Sequence, residues 1–266
     1  MQLFKIISGF QSGVYNMSLD EALLEAVRLQ QEPVLILRTY LWHEPTLSLG
    51  VNQKVRDIRF LMDFYGHQQR EPGLGAPQPK QRVQALVRRP TGGRAILHGQ
   101  DISFAFITND VPVLQQSLKA SYELYSAIVR QALSQLSLPV ELAQEAGDKD
   151  YTRSPVCFET HTPSDLVSNN GQKLAGSAQL RRAGGLLQHG SAFLKPFGIT
   201  AEQFDAAFFQ AAETTFGQPV VQYPSEALVA IEPMRRELEQ RYISDSGGIL
   251  ANASTIKGSH LDSASF

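Results

Sequence analysis

Apolar positions recur along this chain with two rhythms, and each predicts a different kind of element. Leu19, Ala22, Leu23, Ala26 and Val27 fall at helical spacing on one face. Ser18-Leu19-Asp20-Glu21 precedes that face as a capping box, so a first helix is predicted to open at Ser18 and to end at Pro33. The run Val34-Leu-Ile-Leu-Arg-Thr-Tyr40 reads as a short buried strand, and Thr46 to Val51, Val83 to Arg89 and Asp101 to Thr108 read as further strands. Leu114 to Leu136 is the longest helical pattern, with Leu114, Leu118, Tyr125, Ile128, Ala132 and Leu136 along one side. Asp165 to Asn169 and Gln172 to Ala175 flank Asn170-Gly171, a pair able to take the positive φ of a tight hairpin turn. Gly185 to Leu194 adds a strand, and Thr200-Ala-Glu-Gln203 opens a helix carrying Phe204 and Phe208. A last helix is predicted from Ser225 towards Tyr242, disturbed at Pro233.

Between these patterns the stretch from Gly66 to Arg82 is rich in Gln, Pro and Gly and is expected to be an exposed loop insertion. Residues 245–266 are small and polar and are expected to form a flexible tail. No repeat and no long linker divides the rest, so residues 1–244 are expected to be one α+β domain with mixed β-sheets flanked by helices. At 266 residues, such a chain buries a sizeable core without staples. Its formal charge of -2 argues against a general nucleic-acid binder. No apolar run reaches the roughly 18 residues that would span a membrane. The opening MQLFKIISGFQSG lacks the marks of a secretory signal, and the single cysteine allows neither an internal disulfide nor a cysteine-based zinc site. A cytoplasmic location is expected.

Charge is spread unevenly. Pro72 to Gln100 holds Lys80, Arg82, Arg88, Arg89 and Arg94 and no acid; Leu166 to Ala201 holds Lys173, Arg181, Arg182 and Lys195 and no acid. Where such segments meet they form a surface for an acidic carrier or a phosphate; where acids elsewhere pair with them they are an ordinary solvated face. The first segment contains Arg88-Arg89-Pro-Thr-Gly-Gly-Arg-Ala-Ile-Leu-His98, whose adjacent glycines let a backbone approach a ligand. The second contains Gln172-Lys-Leu-Ala-Gly-Ser-Ala-Gln179 and Gln188-His-Gly-Ser191, polar enough for a cleft wall, although Lys173 alone also reads as a surface lysine and His189 as a structural one. Cys157, with His161 nearby, is a small buried residue or, beside a positive charge, a nucleophile. No His, Asp or Glu set has metal-ligand spacing, so no metal is expected.

Taken together, RRPTGGRAILH, SDLVSNNGQKLAGSAQ and LLQHGS, in this order, resemble the lipoate–protein ligase and octanoyltransferase superfamily. The resemblance runs from the first helix to near residue 197 and implies a biotin/lipoate protein ligase-like catalytic domain. Within that superfamily Cys157, just upstream of SDLV, resembles the nucleophile of the cysteine-dependent Gram-positive type of octanoyltransferase. It implies Cys157 as nucleophile with Lys173 as its positive neighbour, and backbone amides near Gly176 and Ser177 as oxyanion donors. Arg89, Thr91, Gly92, Gly93 and His98 would line one wall of the substrate site, with Gln179 and His189 on the other.

The reaction so implied moves octanoyl from acyl carrier protein to the lysine of an apo lipoyl domain, such as glycine cleavage H protein or a 2-oxoacid dehydrogenase subunit. It needs no cofactor. An ATP- and Mg-dependent lipoate–protein ligase would use the same pocket without Cys157, and a transferase moving octanoyl between lipoyl domains would keep Cys157 but reject the carrier protein. A protein that merely holds acylated carriers would bind without turnover. Arg94, where many ligases carry a third glycine, would crowd a nucleotide phosphate and favours transfer over ligation. The absence of a clear accessory domain points the same way.

Overall fold

In the computed structural model, which describes residues 1–54, 83–143, 157 and 165–258, the opening segment is already a strand, β1 (Gln2–Gln11). Its buried positions are Leu3 and Ile6, too few to show a clean alternation in the sequence. The first helix, α1 (Gly13–Arg28), starts five residues earlier than the capping-box pattern predicts. Ser12 is the cap, and its hydroxyl accepts from the Tyr15 amide at 3.3 Å. Ser18 lies inside the helix and donates back to the Tyr15 carbonyl, a habit of interior serines. Glu21 accepts from Arg182, Arg241 and the Tyr242 hydroxyl. The same residue types that cap a helix here serve its packing.

The chain then lays down β2 (Val34–Trp42), β3 (Thr46–Leu49), β4 (Ala85–Arg88), β5 (Ile96–His98) and β6 (Ile102–Thr108). After two helices follow β7 (Val140–Leu142), β8 (Leu166–Ser168), β9 (Lys173–Arg182), β10 (Gly185–Ala192) and β11 (Val220–Gln222). Eight of these form one mixed sheet in the order β11-β1-β2-β6-β10-β9-β8-β7, and a smaller sheet has the order β4-β3-β5. β11, β1 and β2 run parallel, and the remaining large-sheet pairs are antiparallel. Period-two alternation splits the core. Leu35, Leu37, Phe104 and Phe106 face a layer built with Phe204 and Phe208; Ile36, Tyr40, Trp42 and Ile107 face α1. The expected mixed α+β architecture is what the chain adopts.

The long predicted helix is two. A short turn of helix, α2 (Val111–Leu114), is followed by α3 (Leu118–Gln135), whose cap Ser117 accepts from the Ala120 amide. Leu118 is exposed as a result, whereas Tyr125, Ile128 and Ala132 are buried as expected. Helix α4 (Ala201–Phe216) opens with the predicted capping box at Thr200 and Gln203.

The last helix, α5 (Ser225–Gly258), runs through Pro233 and far past Tyr242, into the segment expected to be a flexible tail. Tertiary contacts extend it: Asp245 pairs with Arg88, and Ile249 packs on Leu47, Leu49 and Leu86 of the small sheet. The Gly66–Arg82 loop lies outside the described residues.

Candidate active site

A cleft opens where the large sheet, α1 and the small sheet converge. Met17 of α1, Tyr40 and Trp42 of β2, and Ile96 of β5 supply its apolar wall. Arg89 and Gly93 enter from the loop after β4, His98 from β5, and Ser103 from β6. Gly176, Ser177 and Ala178 come from β9, His189, Gly190 and Ser191 from β10, and Cys157 completes the lining. Trp42 stacks on His98 with centroids 3.8 Å apart, so the indole and imidazole form one continuous face.

Cys157 is held by its own amide, which donates to the Ala95 carbonyl at 2.9 Å, and packs beside Ile96 and Phe193. Lys173 reaches it from the first position of β9. Its Nζ lies 3.4 Å from Cys157 Sγ, 3.3 Å from the Cys157 carbonyl and 2.8 Å from Asp165 Oδ2. Local strand geometry puts the lysine there. Leu166 opposes Ala175 while Val167 opposes Lys173, a slip in the β8–β9 ladder immediately beside Lys173. Bulges of this kind re-aim side chains next to active sites. The turn before it is not the two-residue Asn-Gly turn expected, because only Gly171 takes positive φ, at 79°. The Ser168 amide donates to Gln172 O and the Gly171 amide to Ser168 O, a three-residue loop. Asn170 stays right-handed and uses its side chain to accept from Ser168 and from the Gln172 amide.

Two buried acid–histidine pairs form the floor. His98 Nδ1 lies 2.7 Å from Asp101 Oδ2, and its Nε2 lies 2.6 Å from Ser48 Oγ. Burial lowers the His98 pKa against the pull of Asp101, so the ring is neutral, with Nδ1 donating to the carboxylate and Nε2 accepting. His189 Nδ1 lies 3.0 Å from Asp20 Oδ2, and its Nε2 lies 2.7 Å from Thr91 Oγ1. Burial raises Asp20, but Arg38 and His189 more than offset it, leaving the carboxyl below its ordinary range. Asp20 is therefore an acceptor, and His189 Nδ1 carries the proton. Arg38 is wholly buried behind this pair and also donates to Ser8, the Asn16 carbonyl and Asn16 Oδ1.

Arg89 is built into the protein. Its guanidinium donates to Ser48 O and Oγ and to the carbonyls of Gly92 and Arg94, shaping the loop in which Gly93 has φ 89°. Burial pulls its pKa down to about 10, which leaves it charged near neutrality. Of the other residues singled out in the sequence, Thr91 supports the site from behind through His189. Gly92 is outside the lining. Gln179 also lies away from the cleft, with its side chain bonded to Ser121, Gln188 and Arg181.

The two acid-free segments do meet here, and several of their cations are taken up by partners within the chain. Arg88 is spent on Gly50, Val51, Gln53 and Asp245, Arg181 on the carbonyls of Leu114, Gln116 and Ser117, and Arg182 on Glu21 and Glu25. Lys80, Arg82 and His161 lie outside the described residues. Sequence reasoning missed Asp165, Asp20, Arg38, Asp101, Met17 and Trp42. Arg38 interrupting an apolar strand was the one available signal. Among the described residues no group of three or more His, Cys, Asp or Glu is placed to hold a metal ion, and no helix is long and apolar enough to cross a membrane.

The chain is 37% identical over 198 residues to octanoyltransferase LipM of Anoxybacillus flavithermus, and 35% over 195 residues to that of Geobacillus kaustophilus. Each match covers 71% of this chain and 64% of the relative, so the chain spans just under two thirds of the length of these curated relatives. Against octanoyltransferase LipM of Moorella thermoacetica it is 29% identical over 242 residues, covering 90% of this chain and 81% of the relative. A lipoate-protein ligase A structure bound with ATP shares the fold, with TM-score 0.65 at 17% identity, covering 90% of this chain and 95% of that one. Residues 12–228 match the lipoyl protein ligase A/B catalytic domain, and the chain belongs to that family.

Proposed function

We propose that this protein is an octanoyltransferase that takes an octanoyl group from acyl carrier protein, holds it as a thioester on Cys157, and passes it to the lysine of an apo lipoyl domain. The observation that carries this reading is the 3.4 Å approach of Lys173 Nζ to Cys157 Sγ at the wall of an apolar cleft. The names of the curated relatives support it.

The Lys173 ammonium, 3.4 Å from the sulfur, is the charge partner of the Cys157 nucleophile in this mechanism. The thiolate attacks the carbonyl of octanoyl-phosphopantetheine; a new C–S bond forms, the donor C–S bond breaks, and the pantetheine sulfur leaves and takes up a proton. This exchange of one thioester for another is nearly isoenergetic. The neutral amine of the acceptor lysine then attacks the Cys157 thioester, the C–S bond breaks, the nitrogen loses a proton, and Cys157 is restored. The product is an amide, which makes this second step strongly downhill. The acyl group arrives already activated, so neither step draws on a nucleotide. Met17, Trp42 and Ile96 offer the acyl chain an apolar wall, which the stacked Trp42–His98 pair continues. A cytoplasmic location suits the chemistry, because an unpaired thiol stays reduced there.

The test is intact-mass analysis of the protein mixed with octanoyl-acyl carrier protein and an apo lipoyl domain, without ATP. An adduct of one octanoyl group on the protein, transferred to the acceptor and absent from Cys157→Ala, is the expected result. Acceptor modification that appears only with free lipoate and ATP, and survives Cys157→Ala, would overturn the reading in favour of a ligase.

A further inference from the structure

We infer that Asp165 is the positioning residue of this site, fixing the Lys173 ammonium beside Cys157; the inference rests on the transferase reading for its catalytic meaning. Asp165 and Lys173 are both buried, 3% and 4% exposed, and their charged groups meet at 2.8 Å. Among its contacts the Lys173 ammonium reaches Asp165 Oδ2, Cys157 O and Cys157 Sγ. Two of those partners belong to the residue being activated. Asp165 is the one on a different part of the scaffold, and it is anchored there: its carbonyl accepts from the Ala143 amide at 2.9 Å, and the next residue begins β8, paired on both sides.

Space is arranged for the pair as well. A Cβ on Gly176 would stand 2.6 Å from Lys173 Cε, 2.9 Å from Nζ and 2.7 Å from Asp165 Oδ1. The missing side chain at position 176 is therefore a slot for the ion pair, a job separate from any use of its amide. Held between Asp165 and the backbone of Gly176, Lys173 cannot swing away from the sulfur without giving up its 2.8 Å contact with a buried carboxylate, and breaking a buried ion pair is costly.

Electrostatics agree with the geometry. Burial pulls the Lys173 pKa down, Cys157 and Asp165 pull it up, and the net direction is up. Cys157 and Asp165 are the groups whose charges raise it, with Arg89 across the cleft near Cys157. Removing Asp165 removes one of the two upward pulls.

The experiment uses the full chain labelled with [15N]lysine, with the Lys173 Nζ resonance identified by its loss in Lys173→Gln and titrated against pH. In Asp165→Asn the Lys173 midpoint falls, and in Asp165→Glu it returns towards wild type. In the octanoyl-transfer assay Asp165→Asn lowers kcat by about ten- to a hundredfold, the size of effect that misplacing a catalytic group produces. The high-pH limb of its rate profile moves down with the Nζ midpoint, and Asp165→Asn adds nothing to Lys173→Gln. A folded Asp165→Asn, by circular dichroism, with an unmoved Nζ midpoint would overturn the inference whatever the enzyme's substrate. A moved midpoint with unchanged kcat would overturn the positioning role. Failure of wild type to transfer octanoyl at all would instead sink the functional reading and leave the Nζ titration standing as the test of the ion pair.

Discussion

Arg38 sits in the middle of β2 with no exposure to solvent, and its charge is matched by Asp20 and by three further acceptors on Asn16 and Ser8. Asp20 in turn fixes the proton of His189 on Nδ1 and so leaves Nε2 to accept from Thr91. Asp20→Asn keeps the shape but strips the charge, and a buried ion pair that loses one partner costs about 3–5 kcal/mol. The expected outcome is a lower midpoint in urea with an unchanged slope; under the proposed function, octanoyl transfer also falls through a loosened His189–Thr91 contact. An unchanged midpoint would show that Asn16 and Ser8 suffice to satisfy Arg38. At this scale the sequence was uneven. Cys157 and Lys173 stand in recognisable motifs. Asp20 and Arg38 do not, since they are distant in sequence and only the crossing of α1 over β2 makes them partners.

Helix α5 shows what one element contributes by its own side chains. Glu232 accepts from Arg235 and Arg236, three and four residues on, and these bonds pull its carboxyl down to about 2. A carboxyl with a folded pKa below its ordinary value of about 4.3 stabilises the fold above that pH, and the contribution fades as pH falls towards 2. Glu232 is a third exposed, so the effect is less than about 1 kcal/mol. Glu232→Gln is expected to lower Tm by a degree or two at neutral pH, and the gap from wild type should close between about pH 4 and 2. A gap that persists at pH 2 would assign the loss to packing. Elements as such were largely legible, because periodicity survives any context: the strands at Val34, Thr46, Asp101 and Gly185 and the capping box at Thr200 all formed. Boundaries were less so. Ser12 and Ser117 took the caps because each begins a buried helical face, and a Ser-x-x-Glu pattern within a face already buried is free to serve packing instead.

Over the whole molecule, the small sheet is the part most dependent on distant sequence. It carries Arg89 just after β4 and His98 in β5, and the far end of α5 closes over it through Ile249 and Asp245. Ile249→Ala is expected to cost about 2 kcal/mol, the low end for deleting a buried aliphatic side chain, read as a fall in the urea midpoint. Truncation after Ser244 should do more, lowering Tm and, under the proposed function, raising KM for the octanoyl donor, because the wall bearing Arg89 and His98 loses its support. Equal KM in the truncated and full chains would place the small sheet's stability elsewhere. By itself the sequence determined the mixed α+β class and the main helices and strands, though not β1, β5, β7 or β11, because apolar period is a local property of the chain; the positions of Cys157, Lys173, Arg89, His98 and His189 came from motifs that resemble a known family. Only the tertiary structure decided that Arg88, Arg181 and Arg182 are spent on internal partners, that Gln179 points away from the cleft, and that Asp165 and Asp20 belong to it. Which charge neutralises which depends on distances between elements far apart in sequence, and burial makes those distances, through desolvation, the dominant electrostatic fact of the site.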